Sequence, residues 1–198
     1  MSDTVIRLKI VLERTEPAIW RRVEVPAAMT LDELHNVIQI AMGWANDHLF
    51  DFLLGRESLI ESEMVGFGQF RARPGSGGDL RIGDLAARAV KRLTYLYDFG
   101  DSWNHTIRIE KRLPAEPNTT YPRLIDGAGR CPPEDCGGIP GFYDFLDAIS
   151  DPKHPDHHDR LDWYGDRFDP DDFDAEFVDR ELALLAAPRK RGTGRRAR

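Results

Sequence analysis

The sequence predicts an α+β fold, a single domain with a mainly antiparallel sheet packed by several helices. Three observations predict it. Runs with period-two hydrophobicity come in clusters rather than in strict alternation with helical runs, which disfavours a doubly wound parallel sheet. The tetrapeptide Asp98-Phe99-Gly100-Asp101 separates two strand-like runs as a hairpin tip would, with Gly100 permitting a positive φ. One amphipathic run carries helix signals at both of its ends. A chain of 198 residues with 41% hydrophobic residues suits one domain, or at most two small ones, and can bury a core.

Each element follows from local pattern. Val5 to Glu13 sets Ile6, Leu8, Ile10 and Leu12 on one side and Arg7 and Lys9 on the other, a half-buried strand. Pro17 breaks it, and Ile19 to Val25 reads as a second strand stopped by Pro26. Thr30 followed by Glu33 matches a capping box. Leu31, Leu34, Ile38 and Met42 recur at helical spacing, and Gly43 stands where a C-terminal cap belongs. Residues 48–54 read as a strand. Residues 65–79 are glycine-rich and loop-like; Gly66-Phe67-Gly68 lacks the Gly-Lys-Ser/Thr ending of a phosphate loop. A short helix is expected within Leu80 to Ala89, beginning near Asp84. Leu93 to Tyr97 and Trp103 to Glu110 are the strands of the hairpin. Leu113 to Gly141 reads as a long Pro/Gly-rich loop, of a kind that is often functional. Phe142 to Ile149 reads as a short helix and 151–168 as irregular. Asp169-Pro170 looks like an N-cap with proline in the first helical position, leading a helix with Phe173, Phe177, Val178, Leu182 and Leu185 on one face.

Charge is unevenly divided. The net charge is −7, yet residues 188–198 hold six basic residues and no acid, leaving a body of 21 basic and 34 acidic residues. Such a body repels a phosphate backbone, so nucleic acid is suggested only weakly, by the basic tail. The expected organisation is therefore a domain over 1–187 and a basic, disordered tail over 188–198. No apolar run reaches the roughly 18 residues of a membrane span, so no membrane partner is expected. Two cysteines do not make a disulfide scaffold, and a cytoplasmic location is the default.

Three clusters could carry chemistry. In the stretch Tyr97 to His105, a strand starting near Asp101 would put Asp101, Trp103 and His105 on one face; a histidine beside carboxylates suits a metal ligand or general base. The alternative is that Asp98 and Asp101 stabilise a turn and His105 is a hydrogen-bonded, half-buried residue. In Cys131-Pro132-Pro133-Glu134-Asp135-Cys136-Gly137-Gly138, prolines and glycines bracket four residues able to bind a metal. A structural zinc site needs four ligands and no second cysteine pair exists, so free thiols in a tight loop are the competing reading. The third cluster, His154 to Asp159, sits in the most acidic stretch and reads as a surface loop. Gly-x-Ser-x-Gly, His-Glu-x-x-His and calcium-loop patterns are absent.

The strings Trp20-Arg21-Arg22, Leu31-Asp32-Glu33-Leu34-His35, Gly43-Trp44, His48-Leu49-Phe50, Tyr97-Asp98-Phe99-Gly100-Asp101 with Trp103 and His105, Cys131-Pro132-Pro133-Glu134-Asp135 and Gly137-Gly138 occur in this order. Together they resemble the plasmid pRiA4b ORF-3-like family, some of whose members are called insertion-element passenger TnpR-like proteins. The resemblance runs from about Ile6 to about Leu182 and implies an α+β fold. It marks Asp98, Asp101, Trp103, His105, Cys131, Glu134 and Asp135 as the candidate site. Cys136 departs from the family, where an aliphatic residue is usual before Gly-Gly. No resolvase-type serine motif or helix-turn-helix accompanies the TnpR label, so recombination is not carried over.

Two functions stand beside each other. One is a binding or accessory module of a mobile-element-associated family, holding a protein, peptide or small-molecule ligand in a polar site formed by residues 98–105 and 131–138. The other is a metal-assisted hydrolase using the same site, with a divalent metal as cofactor and His105, Asp101, Glu134 and Asp135 as candidate ligands.

Overall fold

In the computed structural model of the chain, which describes residues 4–66, 69–165 and 167–186, the period-two runs assemble one seven-stranded antiparallel sheet. The strands in chain order are β1 (Thr4–Leu12), β2 (Trp20–Pro26), β3 (Phe50–Leu54), β4 (Glu57–Ser58), β5 (Ser62–Val65), β6 (Gln69–Ala72), β7 (Arg92–Tyr97), β8 (Trp103–Pro114) and β9 (Arg123–Ala128). The large sheet runs β4-β3-β7-β8-β1-β2-β9, and β5 and β6 form a separate two-stranded ribbon. β7 and β8 make the expected hairpin around Asp98–Ser102.

Alternation decides which face each strand buries. Ile6, Leu8, Ile10 and Leu12 of β1 are shielded from solvent, as are Val23 and Val25 of β2. Val23 shares its face with Arg21, two residues earlier, so a cation is carried to the core side. The opposite face of β2 holds Glu24, also buried, between two guanidinium groups. Arg7 Nη2 lies 2.6 Å from Glu24 Oε1, and Arg123 Nη2 lies 2.7 Å from Glu24 Oε2.

The helices are α1 (Leu31–Met42), α2 (Ile82–Ala87), α3 (Gly138–Ser150), α4 (His157–Tyr164) and α5 (Ala175–Ala186). α1 starts with the capping box that Thr30 and Glu33 predict and ends at Gly43 in the left-handed region, φ 86°. Its apolar residues Leu31, Leu34, Val37, Ile38 and Ala41 join the sheet residues in one core. α5 packs against β9 and α1.

Several expectations change. The long loop over 113–141 is interrupted: β8 runs on to Pro114, β9 forms the far edge of the sheet, and α3 begins at Gly138. The loop over 65–79 contains β6 and a 3-10 turn at Gly77–Asp79. The stretch over 151–168 contains α4, which the sequence hides because no residue of α4 is buried. The last helix starts at Ala175 rather than Pro170, since Asp174 Oδ1 accepts from the Phe177 amide at 2.8 Å and serves as the cap. The basic tail over 188–198 lies outside the described residues. Among the described residues no helix is long and apolar enough to cross a membrane.

Candidate functional site

Two turns and one loop converge at the end of the β7–β8 hairpin. The first turn is Asp98–Ser102. Asp98 adopts φ 53° and Ser102 φ 57°, left-handed positions that an Asp tolerates because its side chain bonds locally. Here Asp98 Oδ1 accepts from the Gly100 amide at 2.8 Å, and the Asp98 amide donates to the Leu49 carbonyl at 2.9 Å. This pins the turn to the segment leading into β3.

The second turn is Cys131–Gly138. Asp101 Oδ2 accepts from the Gly137 amide at 3.0 Å, which joins the turns directly. Gly138, at φ 67°, brings its backbone so close that an added Cβ would lie 2.6 Å from the Asp101 carbonyl oxygen. Glycine is required here by both conformation and space.

Between them lies the loop 43–49 after α1. Trp44 stacks on Tyr97 with ring centroids 5.0 Å apart, and its Nε1 donates to the Pro132 carbonyl at 3.1 Å. Glu134 Oε1 accepts from the Ala45 amide and from the Tyr97 hydroxyl, each at 3.0 Å. Burial raises the Glu134 carboxyl above its ordinary range, opposed by those hydrogen bonds and by His48.

His48 stands at the centre. Its Nε2 is 3.3 Å from Asp135 Oδ1 and 3.8 Å from Glu134 Oε2, while its Nδ1 is 3.8 Å from Asp98 Oδ1. The Nε2 contact with Asp135 is within ion-pair range but lacks hydrogen-bond alignment. His48 Nε2 and Glu134 Oε2 are both buried atoms with no hydrogen-bond partner among the described residues. His48, Asp98 and Asp135 are the one group of three or more metal-ligating side chains found together among the described residues.

The structure thus brings together Asp98, Glu134 and Asp135 from the sequence-predicted set, with Asp101 holding the turns in place. It does not place His105 among them. β8 starts at Trp103, so Trp103, His105 and Ile107 alternate onto the core face, all fully shielded from solvent. His105 Nδ1 faces the Tyr95 carbonyl at 3.3 Å, its ring lies edge-on to Trp44, and burial lowers its pKa to about 4. His48 occupies the place beside the carboxylates that the sequence reading gave to His105. That reading put His48 inside a strand, whereas β3 begins at Phe50 and leaves His48 in the loop. The string His48-Leu49-Phe50 in the family resemblance was the available signal.

Cys131 and Cys136 are free and buried. Cys131 donates to Met42 Sδ at 3.2 Å, and burial pushes the two thiols up to about 11 and about 12. Both stay protonated at neutral pH and lie outside the His48 group. In the third sequence cluster, His157 Nδ1 lies 2.9 Å from the Ala148 carbonyl, an ordinary tie between α4 and α3.

A family model described as plasmid pRiA4b ORF-3-like protein matches residues 4–177. Among curated proteins, the chain is similar to the uncharacterized protein y4hQ of Sinorhizobium fredii (strain NBRC 101917 / NGR234), 41% identical over 169 residues, covering 83% of each chain. Among solved structures, it is similar to the crystal structure of MM3350 from Methanosarcina mazei Go1, a protein of unknown function. There the TM-score is 0.75 and the identity 33%, covering 89% of this chain and 98% of that one.

Proposed function

Because the chain belongs to the plasmid pRiA4b ORF-3-like family, we propose that it is a cytoplasmic binding or accessory module. It acts through the polar site of residues 98–105 and 131–138, completed by His48, and this site takes a divalent cation. The plasmid in the family's description supports the accessory role, and two free thiols fit a reducing compartment. The observation that carries the cation reading is the facing pair of buried, unbonded atoms, His48 Nε2 and Glu134 Oε2, with Asp135 Oδ1 beside them. Donors that share a small cation sit roughly 3 to 3.6 Å apart, given ligand bonds of about 2.0–2.2 Å. His48 Nε2 stands 3.3 Å from the Asp135 oxygen and 3.8 Å from the Glu134 oxygen, and donor atoms of His48, Asp98 and Asp135 all lie within 4.8 Å of one another. Asp98, on the Nδ1 side of the ring, would orient the imidazole as carboxylates do behind metal-bound histidines. One imidazole with carboxylates suits manganese or zinc better than a thiophilic ion. The exposed side of Asp135 leaves a coordination position for a ligand or partner.

The test is metal titration of chelator-stripped protein by calorimetry. Saturable binding of manganese or zinc at one site per chain, lost in His48→Ala, is expected. No binding of either ion would overturn the reading. Metal-assisted hydrolysis is the second reading, favoured by the position of Glu134: held at Oε1 by two donors, it turns its free Oε2 toward the cluster, where a general base would stand. Its test is metal-dependent hydrolysis of p-nitrophenyl phosphate or ester probes that Glu134→Gln abolishes.

A further inference from the structure

Arg21 is a cation on the wrong side of a sheet. It lies on the core face of β2, 1% exposed, and no carboxylate stands within ion-pair distance among the described residues. Its Nε donates to the Ala41 carbonyl at 2.7 Å, and its Nη1 donates to the Trp20 and Ala128 carbonyls at 2.9 and 3.0 Å. Its Nη2 reaches Cys131 Sγ at 3.7 Å. A guanidinium has five N–H groups, and four acceptors are present, so one Nη2 proton is left over. Ala41 belongs to the last turn of α1, where the helix end supplies about half a negative charge. Cys131, a neutral thiol whose own proton points at Met42, supplies none. A buried cation lacking a formal counter-ion is costly unless something provides one.

Arg21 sits at the wall of a cavity of about 480 Å³, the size of a small-molecule site. Trp44 and Phe173 also line it, and Phe173 lies over the guanidinium at 3.9 Å. Arg130, a second guanidinium without an ion-pair partner among the described residues, lines the same space. The acidic lining residues Asp172 and Asp174 are exposed and so stand at the mouth. Two guanidinium groups against the single carboxylate of Glu134 inside, aromatic walls and negative charge at the entrance favour one kind of occupant.

We propose that this cavity binds a small zwitterion of the free amino-acid type. Its carboxylate meets Arg130, with the charge of the buried Arg21 behind the cavity wall, its apolar body lies along Trp44 and Phe173, and its ammonium faces Asp172 and Asp174. The site is separate from the cation at His48, although Glu134 borders both.

The experiment is calorimetric titration of the full chain with each of the twenty free amino acids, then with the carboxamide and N-acetyl forms of any that bind. Saturable binding of at least one is expected, weakened at least tenfold by amidation and by Arg130→Gln, and weakened by N-acetylation and by Asp172→Asn. Arg130 and Asp172 are not core residues, so these variants stay folded where Arg21→Ala would not. Addition of a chelator leaves the affinity unchanged, which separates this site from the cation site. Absence of binding by all twenty, or equal affinity for acid and amide, would overturn the proposal. Binding of a tripeptide but of no free amino acid would overturn it too.

Discussion

His48 Nε2 lies 3.3 Å from Asp135 Oδ1, although seven strands, β3 to β9, and the helix α2 separate the two residues along the chain. Their encounter depends on the Asp98–Ser102 turn, which holds the His48 loop through Leu49 and the Asp135 turn through Gly137. The first prediction follows. Manganese or zinc at about a hundredfold over its dissociation constant stabilises the native state by about 2.7 kcal/mol. For a domain of this size that raises Tm by roughly 5–10 °C. Thermal scans of wild type and Asp135→Asn check it, and the variant shows at most a small rise.

The joint between the two turns is sterically tight. Gly138→Ala drives a Cβ into the Asp101 carbonyl at a left-handed φ, and a loss of about 2–3 kcal/mol is expected. Gly43→Ala is the control. It shares the left-handed φ but meets nothing within 4 Å, so about 1 kcal/mol is expected. Urea unfolding of both variants measures the difference, and equal losses would refute the steric argument.

Two imidazoles are buried neutral. Burial lowers the His35 pKa to about 3 and that of His105 to about 4. The unfolded chain takes up protons near pH 6.5 while the folded chain does not, so stability is complete above that pH and falls as pH drops toward 4. Each histidine contributes a slope that approaches about 1.4 kcal/mol per pH unit below pH 6.5, about 3 kcal/mol for both between pH 6.5 and 5. Glu134, raised by burial, pulls the other way in the acidic part of that range. Urea midpoints at pH 7 and pH 5 check it, with His35→Gln retaining about half the dependence.

Glu24 joins β1, β2 and β9 through Arg7 and Arg123. Glu24→Ala leaves two guanidinium groups facing each other, each about a quarter exposed and so partly relieved by water. A destabilisation of about 2–3 kcal/mol is expected, at or below the low end for breaking a buried pair. A double-mutant cycle with Arg123→Ala measures the coupling, which vanishes if the contact is only packing.

The thiols offer a direct check on their state. Protonated and buried, Cys131 and Cys136 are expected to resist an aromatic disulfide reagent at pH 8 until denaturant unfolds the chain. Rapid labelling of either in the native protein would contradict the packing described.

What the sequence discloses tracks how local the signal is. The ends of α1 are legible because Thr30, Glu33 and Gly43 carry their own geometry within a few residues. The β7–β8 hairpin is legible for the same reason. β9 escapes because it is an edge strand with no fully buried residue and a glycine inside it. α4 escapes because it presents no apolar face. At the site, Glu134 and Asp135 stand out by their proline and glycine neighbours, whereas His48 has no local pattern. Its partners arrive through tertiary packing, and His105 attracts attention only because β8's register is not fixed until its neighbours are known.

The sheet order carries a consequence for biosynthesis. β1 lies between β2 and β8, and its pairing runs from Thr4 opposite Pro114 to Leu12 opposite His105. A ribosome releases the N-terminal strand long before its second neighbour exists. Until residue 114 emerges, the nascent chain holds β1 and β2 as a hairpin with one open edge and an apolar face, a state open to chaperone capture or to pairing with another nascent copy. Closure across so many residues makes this a slow-folding topology, and its hazard falls during translation rather than after it.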